Sequence, residues 1–284
     1  MSVARCVDFC LDQPLLGSAP LSHWVLVVDQ PRPWQSKIQR GLTLPPEWQA
    51  ISDAWRVSGE PFSLLARASD RGQFHLFRWQ DGVVCQLAHP EAEPQPVTPR
   101  LLVCTHGSRD ACCGSLGVRL AQILRSEHEV WEVSHLGGHR FAPTLWHLPG
   151  WRLYGRLPLD SSVVEGWNDP RYLRGNAAYS PQIQVLEEHL RRLRGRWPLW
   201  ICEHENGFRV RWPCGQEEMW AATLLTHSHR GPVSCRDIAP GISEPYLSYE
   251  VAESECVGLL DPAGKSEQLS TSEGVRCPTG KRPP

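Results

Sequence analysis

No apolar run in this chain approaches the ~20 residues that a membrane-spanning helix requires, so no such helix is expected. A charge excess is also missing. The 29 Lys and Arg stand against 31 Asp and Glu, giving a net charge of −2. A nucleic-acid partner or an anionic membrane would favour a basic surface, so neither is expected. The N-terminus carries Asp8 early and has no signal-peptide apolar core, which leads us to expect cytoplasmic residence. There is no repeat at a solenoid period. The Cys-x-x-Cys signature of thiol–disulfide exchange at a helix start is absent. No carboxylate pair is marked out for glycoside hydrolysis. With no catalytic residues evident, the chain does not read as an enzyme with its own substrate.

Cysteine and tryptophan, by contrast, are abundant, at 11 and 13 in 284 residues. An odd cysteine number rules out complete internal pairing. In a cytosolic chain of this length, thiols favour metal or redox roles over a disulfide framework. Cys85, Cys202, Cys235 and Cys256 read as small core or surface residues. The tryptophans, such as Trp24, Trp48 and Trp55 early and Trp200, Trp212 and Trp220 late, read as large core fillers with a polar edge. The 41% hydrophobic and 21% charged fractions are those of an ordinary globular chain.

The pattern along the chain is α/β. A strand is expected at Trp24–Val28 and a helix at Pro45–Trp55, with Trp48, Ile51 and Trp55 on one face. Strands at Phe62–Arg67 and Gln73–Trp79 follow, with Asp70–Gly72 as the turn between them. The Pro-rich segment from Pro90 to Pro99 reads as a linker. It divides an N-terminal α/β half, residues 1–96, from a second unit, residues 97–196. The second unit runs strand Arg100–Thr105, helix Cys112–Arg125, strand Glu129–His135, hairpin Pro143–Leu148 with Arg152–Arg156, and helix Pro181–Leu193. That order is thioredoxin-like, with a His-Leu-Gly-Gly-His loop in place of one helix. Both halves begin strand–helix–strand–strand, which makes an old duplication conceivable. Residues 197–260 read as a strand-rich extension, and residues 261–284 as a disordered tail.

Chemistry concentrates in Cys104-Thr-His-Gly-Ser-Arg-Asp-Ala-Cys-Cys113 and His135-Leu-Gly-Gly-His139. Thiolates and imidazoles are the donors that zinc and iron–sulfur clusters take. Cys104 ends a strand and Cys113 starts a helix, whose N-terminal partial charge favours a thiolate. Gly137 and Gly138 remove side chains where backbone passes close to a bulky group. Cys112 and Cys113 would point about 100° apart on a helix, so only one reaches the centre, and we favour Cys113. His106 makes a Cys-x-His with Cys104, but the second Cys-x2-His loop of a Rieske site is missing. It is expected to support the site from behind or to serve only the loop. Cys202-Glu-His204 is similarly unpartnered. Cys6 and Cys10 have Cys-x3-Cys spacing but no matching pair nearby. By spacing alone, zinc and iron–sulfur stand equal.

These segments resemble the sucrase/ferredoxin-like family, itself similar to thioredoxin-like [2Fe–2S] ferredoxins. The resemblance rests on Cys104 to Gly114, His135 to Thr144, Tyr154-Gly-Arg-Leu157, Pro14 to Pro20, Trp24 and Pro33-Trp34, and spans about residues 6 to 250. It implies a thioredoxin-like ferredoxin domain over 97–196 and a [2Fe–2S] cluster held by Cys104, Cys113, His135 and His139. The expected function is electron transfer with an unidentified redox partner protein. The alternatives are a structural zinc site on the same four residues and a thioredoxin-like thiol oxidoreductase.

Overall fold

A short helical turn, α1 (Cys6–Phe9), precedes the first strand, β1 (Trp24–Asp29). The computed structural model describes residues 5–238 and 240–260, with the backbone alone of 266–268. In β1 every residue after Trp24 is buried, as a strand covered on both faces requires. The helix α2 (Pro46–Ser58) opens with Pro in its first turn and closes on Gly59, whose φ of 74° is left-handed. It returns the chain to β2 (Phe62–Arg67), parallel to β1. Next, β3 (Phe74–Gln80) pairs antiparallel with the other edge of β1. Thus β2 and β3 do not form a hairpin about Asp70–Gly72. β1 lies between them, because a fully buried strand must satisfy its backbone groups on both edges. Outward lie β4 (Val83–Leu87), which the sequence reading did not separate, and β5 (Gln95–Pro96). β5 falls within the proline-rich segment, at a sheet edge where Pro96 is tolerated.

The second half repeats this order. β6 (Arg100–Cys104) leads into α3, whose residues Cys113–Gly117 are wound as π-helix and Val118–Leu124 as α-helix. β7 (Val130–Val133) pairs parallel with β6. β8 (Leu145–Leu148) takes the other edge of β6, antiparallel, followed outward by β9 (Arg152–Tyr154) and β10 (Leu173–Asn176). A short α4 (Val163–Gly166) precedes β10. After it, α5 (Pro181–Arg194) buries Ile183, Val185, Leu186 and Leu190. The strand orders β7-β6-β8-β9 and β2-β1-β3-β4 are the same thioredoxin-like order.

The halves join edge to edge in one ten-stranded sheet. The seam is a single antiparallel bridge, Arg67 with Val133, flanked by Ser134 N–H to Ala66 O at 2.8 Å and Ala68 N–H to Glu132 O at 2.9 Å. The Trp131 ring takes the guanidinium carbons of Arg67 at 4.1 Å and Arg100 at 4.3 Å, contacts that attract a cation to the ring face. The boundary near residue 96 therefore divides a continuous sheet.

A second, antiparallel sheet holds β11 (Trp200–His204), β12 (Gly207–Arg211), β13 (Glu217–Gly231), β14 (Glu244–Leu260) and β15 (Ser266–Gln268). β13 runs past the strand expected at Met219–Leu225, and no separate strand was expected over β14. Exposed and half-buried positions alternate along much of β14, but Leu247 and Val257 fall on exposed positions while Ser248 is buried, so the apolar residues do not trace that alternation. A four-residue turn, α6 (Cys235–Ile238), lies in their connection. The expected disordered tail, 261–284, lies outside the described residues apart from the backbone of 266–268, which pairs with β14. Among the described residues no helix is long and apolar enough to cross a membrane.

Candidate metal centre

All four expected donors sit at the carboxyl ends of the parallel pair β6 and β7, where open α/β sheets place ligands. Cys104 is the last residue of β6, and Cys113 begins the π-wound turn of α3. His135 follows β7 by two residues, and His139 opens a 3-10 turn over His139–Phe141. Asp110 caps the helix start by accepting the Cys112 N–H on Oδ1 at 2.9 Å. The π turn lies against the strand end so closely that a Cβ at Gly117 would stand 1.8 Å from the Cys104 carbonyl oxygen. Single π turns of this kind are common at functional sites.

The sulfurs of Cys104 and Cys113 each lie 4.0 Å from His135 Nδ1. Those three donor atoms fall within 4.8 Å of one another. His139 stands one step further out, with its Nδ1 3.2 Å from His135 Nε2. Its Nε2 is buried, 3.9 Å from Asp110 Oδ2, and has no hydrogen-bond partner among the described residues. Cys104 and Cys113 are each 1% exposed, whereas His135 is only part-buried. The centre is closed on its sulfur side and open at His135.

The two thiols are electrostatically unequal. A hydrogen bond from Cys113 holds Cys104 well below the ordinary thiol range, helped by His135 and the His106 N–H and opposed by burial. The same bond, together with burial, pushes Cys113 up. Burial drives His139 down to about 4, so its ring is neutral and can offer a lone pair. Beneath the pair lies Arg174, 1% exposed, which donates to Gly137 O at 2.9 Å and Ser18 O at 2.6 Å. Burial lowers it to about 9, while Cys104 and Cys113 draw it back toward the charged form. A Cβ at Gly138 would meet its Nη2 at 2.4 Å. That glycine therefore makes room for the buried guanidinium, a role the sequence reading had given to the inorganic core.

The first half closes the site from above. Its loop after β1 places Trp34 O as acceptor for Ser108 Oγ at 2.5 Å and Gln35 O beside His106 Nε2 at 3.0 Å. Arg32 reaches Thr105 Oγ1 and Glu132. His106 Nδ1 accepts the His135 N–H at 3.2 Å, which fits the supporting role expected of it.

Cys112 turns away from this centre to Cys6 and Cys235. Cys10 donates to Pro232 O at 3.1 Å and stays apart, so the Cys6/Cys10 spacing does not describe a pair. Cys202 is exposed on β11. Sequence reasoning missed Arg174, Asp110 as a shared neighbour of both groups, and the association of Cys6 with Cys235. These two lie 229 positions apart, a separation no local spacing reveals.

Comparison with known proteins places the chain in a family. The matching family is described as Sucrase/ferredoxin-like, over residues 15–164. A stretch of 74 residues is 39% identical to "Altered inheritance of mitochondria protein 32" of Eremothecium gossypii, covering 24% of this chain and 24% of that protein. The protein of that name in Meyerozyma guilliermondii is 36% identical over 69 residues, 21% of this chain and 24% of its own. The chain thus spans about a quarter of the length of these curated relatives. No solved structure matches. Since the match over residues 15–164 takes in more than half of its length, the chain belongs to the sucrase/ferredoxin-like family.

Proposed function

We propose that this protein is a one-electron carrier whose [2Fe–2S] cluster is held by Cys104, Cys113, His135 and His139. The observation that carries the reading is the convergence of two buried sulfurs on His135, with His139 beside it. The donor set fits the group, since two imidazoles on one iron replace two thiolates in other [2Fe–2S] proteins. The buried, unpartnered Nε2 of His139 fits as well, because such an atom is costly unless it gains a partner. When bound, the cluster supplies one-electron chemistry. The chain does the rest. The β6 end and the α3 turn fix the thiolates, and Arg174 sets a cation beneath them. The apolar surroundings of Cys104 and Cys113 exclude water. The part-buried ring of His135 offers a redox partner protein its closest approach. Free thiols at all ten described cysteines fit a reducing compartment, and we place the protein in the cytoplasm.

A second reading is a structural zinc ion on the same residues. Zinc–sulfur and zinc–nitrogen bonds of about 2.3 and 2.0 Å set tetrahedral sulfur–nitrogen edges of about 3.5 Å, within reach of the 4.0 Å found here. A third is thiol exchange, favoured by the opposite shifts of Cys104 and Cys113. The visible spectrum and the iron, sulfide and zinc content of anaerobically purified protein decide among them. A red-brown protein with iron and sulfide supports the carrier. A colourless protein with zinc on Cys104 and Cys113 supports the second reading. A metal-free protein that forms a Cys104–Cys113 disulfide supports the third.

A further inference from the structure

Behind the first centre lies a second group of thiols. Cys112 Sγ is 3.1 Å from Cys235 Sγ and 3.6 Å from Cys6 Sγ, and the Cys6–Cys235 pair closes the triangle at 3.6 Å. Asp110 Oδ1 stands 3.2 Å from Cys235 Sγ. Cys6 and Cys112 are 0% exposed and Asp110 4%. We propose that Cys6, Cys112, Cys235 and Asp110 bind a zinc ion of their own, in a tetrahedral three-sulfur, one-oxygen site.

The geometry is that of a nearly closed coordination shell. Zinc–sulfur bonds of about 2.3 Å set tetrahedral sulfur–sulfur edges of about 3.8 Å, and a carboxylate at about 2.0 Å sets sulfur–oxygen edges of about 3.5 Å. The two edges at Cys6 and the Asp110–Cys235 edge are about 0.2–0.3 Å shorter and the Cys112–Cys235 edge about 0.7 Å shorter, so the site must expand, most of all between Cys112 and Cys235, to admit the ion. Thiolates select zinc over magnesium or calcium. The backbone already orients the donors. Cys6 N–H points to Cys235 Sγ at 3.4 Å, and the Val7 N–H serves Cys112. Asp110 is held through Oδ1 by the Cys112 N–H at 2.9 Å and through Oδ2 by the Cys235 N–H at 3.0 Å. Metal sites depend on such supporting contacts. Three thiolates and a carboxylate outweigh the ion by two charges, and the Arg140 guanidinium lies within electrostatic reach of Cys6. A disulfide is a poorer account, because it would use two thiols and strand the third.

The ligands come from α1, the start of α3 and α6, with sequence separations of 106 and 123 residues. One ion therefore ties the N-terminal turn and the β13–β14 connection to the loop that carries Cys113. The proposal stands whether the first centre holds iron–sulfur or zinc.

The test is zinc content of the full-length protein from zinc-supplemented cells, beside Cys6→Ser, Cys235→Ser and the double variant Cys104→Ala/Cys113→Ala. Each Ser variant should lose a single zinc equivalent and keep the metal of the first centre. The double variant should keep that zinc. Zinc content undiminished in both Ser variants, a double variant left with no zinc, or no zinc in the unaltered protein overturns the proposal. If the Ser variants do not fold, the unaltered protein decides. Cobalt(II) exchanged for its zinc should give thiolate-to-cobalt charge-transfer absorption of three-sulfur strength with intense tetrahedral bands. A weaker two-sulfur or octahedral spectrum, or a Cys112–Cys235 disulfide in freshly isolated protein, overturns it.

Discussion

His106 accepts the backbone N–H of His135 on Nδ1 at 3.2 Å, while its Nε2–H donates to Gln35 O at 3.0 Å. Both nitrogens are thereby occupied, and burial lowers its pKa, so the ring stays neutral in one tautomer. It ties the loop of the first half to the second residue after β7. His106→Ala should leave the His135 N–H unpaired at a cost of about 1–3 kcal/mol. Thermal unfolding should report that loss while iron content stays unchanged. Iron lost without any change in unfolding would instead make His106 a ligand.

Cys112 and Cys113 face different groups. Cys113→Ala should abolish the visible chromophore and the iron with it. Cys112→Ala should keep both. Iron and sulfide analysis of the two purified variants checks this, and the reverse result would move the ligand assignment by one residue.

Arg174 places a buried guanidinium beside both sulfurs of the first centre. Reduction adds negative charge, which a nearby cation favours. Arg174→Met should lower the reduction potential, by an amount on the order of tens of mV at an effective dielectric near 20. Arg174→Lys should restore part of it. Voltammetry of the three proteins reads the effect, and an unchanged or raised potential in Arg174→Met would contradict it.

A ligand imidazole keeps one ring N–H away from the metal, and oxidised iron acidifies that proton more than reduced iron does. Reduction is then coupled to proton uptake, and the potential should fall as pH rises through the window between the two ring pKa values. His135→Cys and His139→Cys should each lower the potential and weaken its pH dependence. A potential independent of pH in the unaltered protein would falsify histidine ligation.

His147, packed on Trp167 with ring centroids 4.8 Å apart, is pushed down to about 4 by burial, aided by Arg152 and His128. Its ordinary value is 6.5, so between pH 6.5 and 4 the unfolded chain binds a proton that the folded chain refuses. Stability from this group is complete above pH 6.5 and is lost as pH falls toward 4. The loss reaches roughly 3 kcal/mol at about 1.36 kcal/mol per pH unit. Urea unfolding at pH 7 and pH 5 should show a smaller drop in His147→Leu than in the unaltered protein. His139 shifts the same way, so the difference between the two proteins is the readout.

Much of this was legible because the information is local. Val25 to Val28 is an apolar run with one structural meaning. Trp48, Ile51 and Trp55 mark one helix face. Cys104 and Cys113 bracket a strand-to-helix loop, so their meeting follows from the connection alone. What stayed hidden is non-local. Nothing near residue 67 announces that Arg67 pairs with Val133. Arg174 has no spacing relation to Cys104, and its charge argues for the surface until its acceptors, Gly137 O and Ser18 O, are seen. Cys6 and Cys235 read as unremarkable thiols until the chain brings them to Cys112. β14 escaped because its apolar residues do not follow its burial: Leu247 and Val257 are exposed while Ser248 is buried.

In β1 and β2 the last register pair is Asp29 with Arg67, and in β6 and β7 it is Cys104 with Val133. The seam bridge joins Arg67 to Val133, so topologically equivalent positions meet, as they do across the twofold axis of a symmetric dimer. The first half thus stands where a second subunit would stand, and its Trp34–Gln35 segment covers the second half's ligand loop. In two separate chains that cover would be shed on dilution. In one chain it is intramolecular, with an effective concentration fixed by the connecting segment. The centre stays covered however scarce the protein becomes.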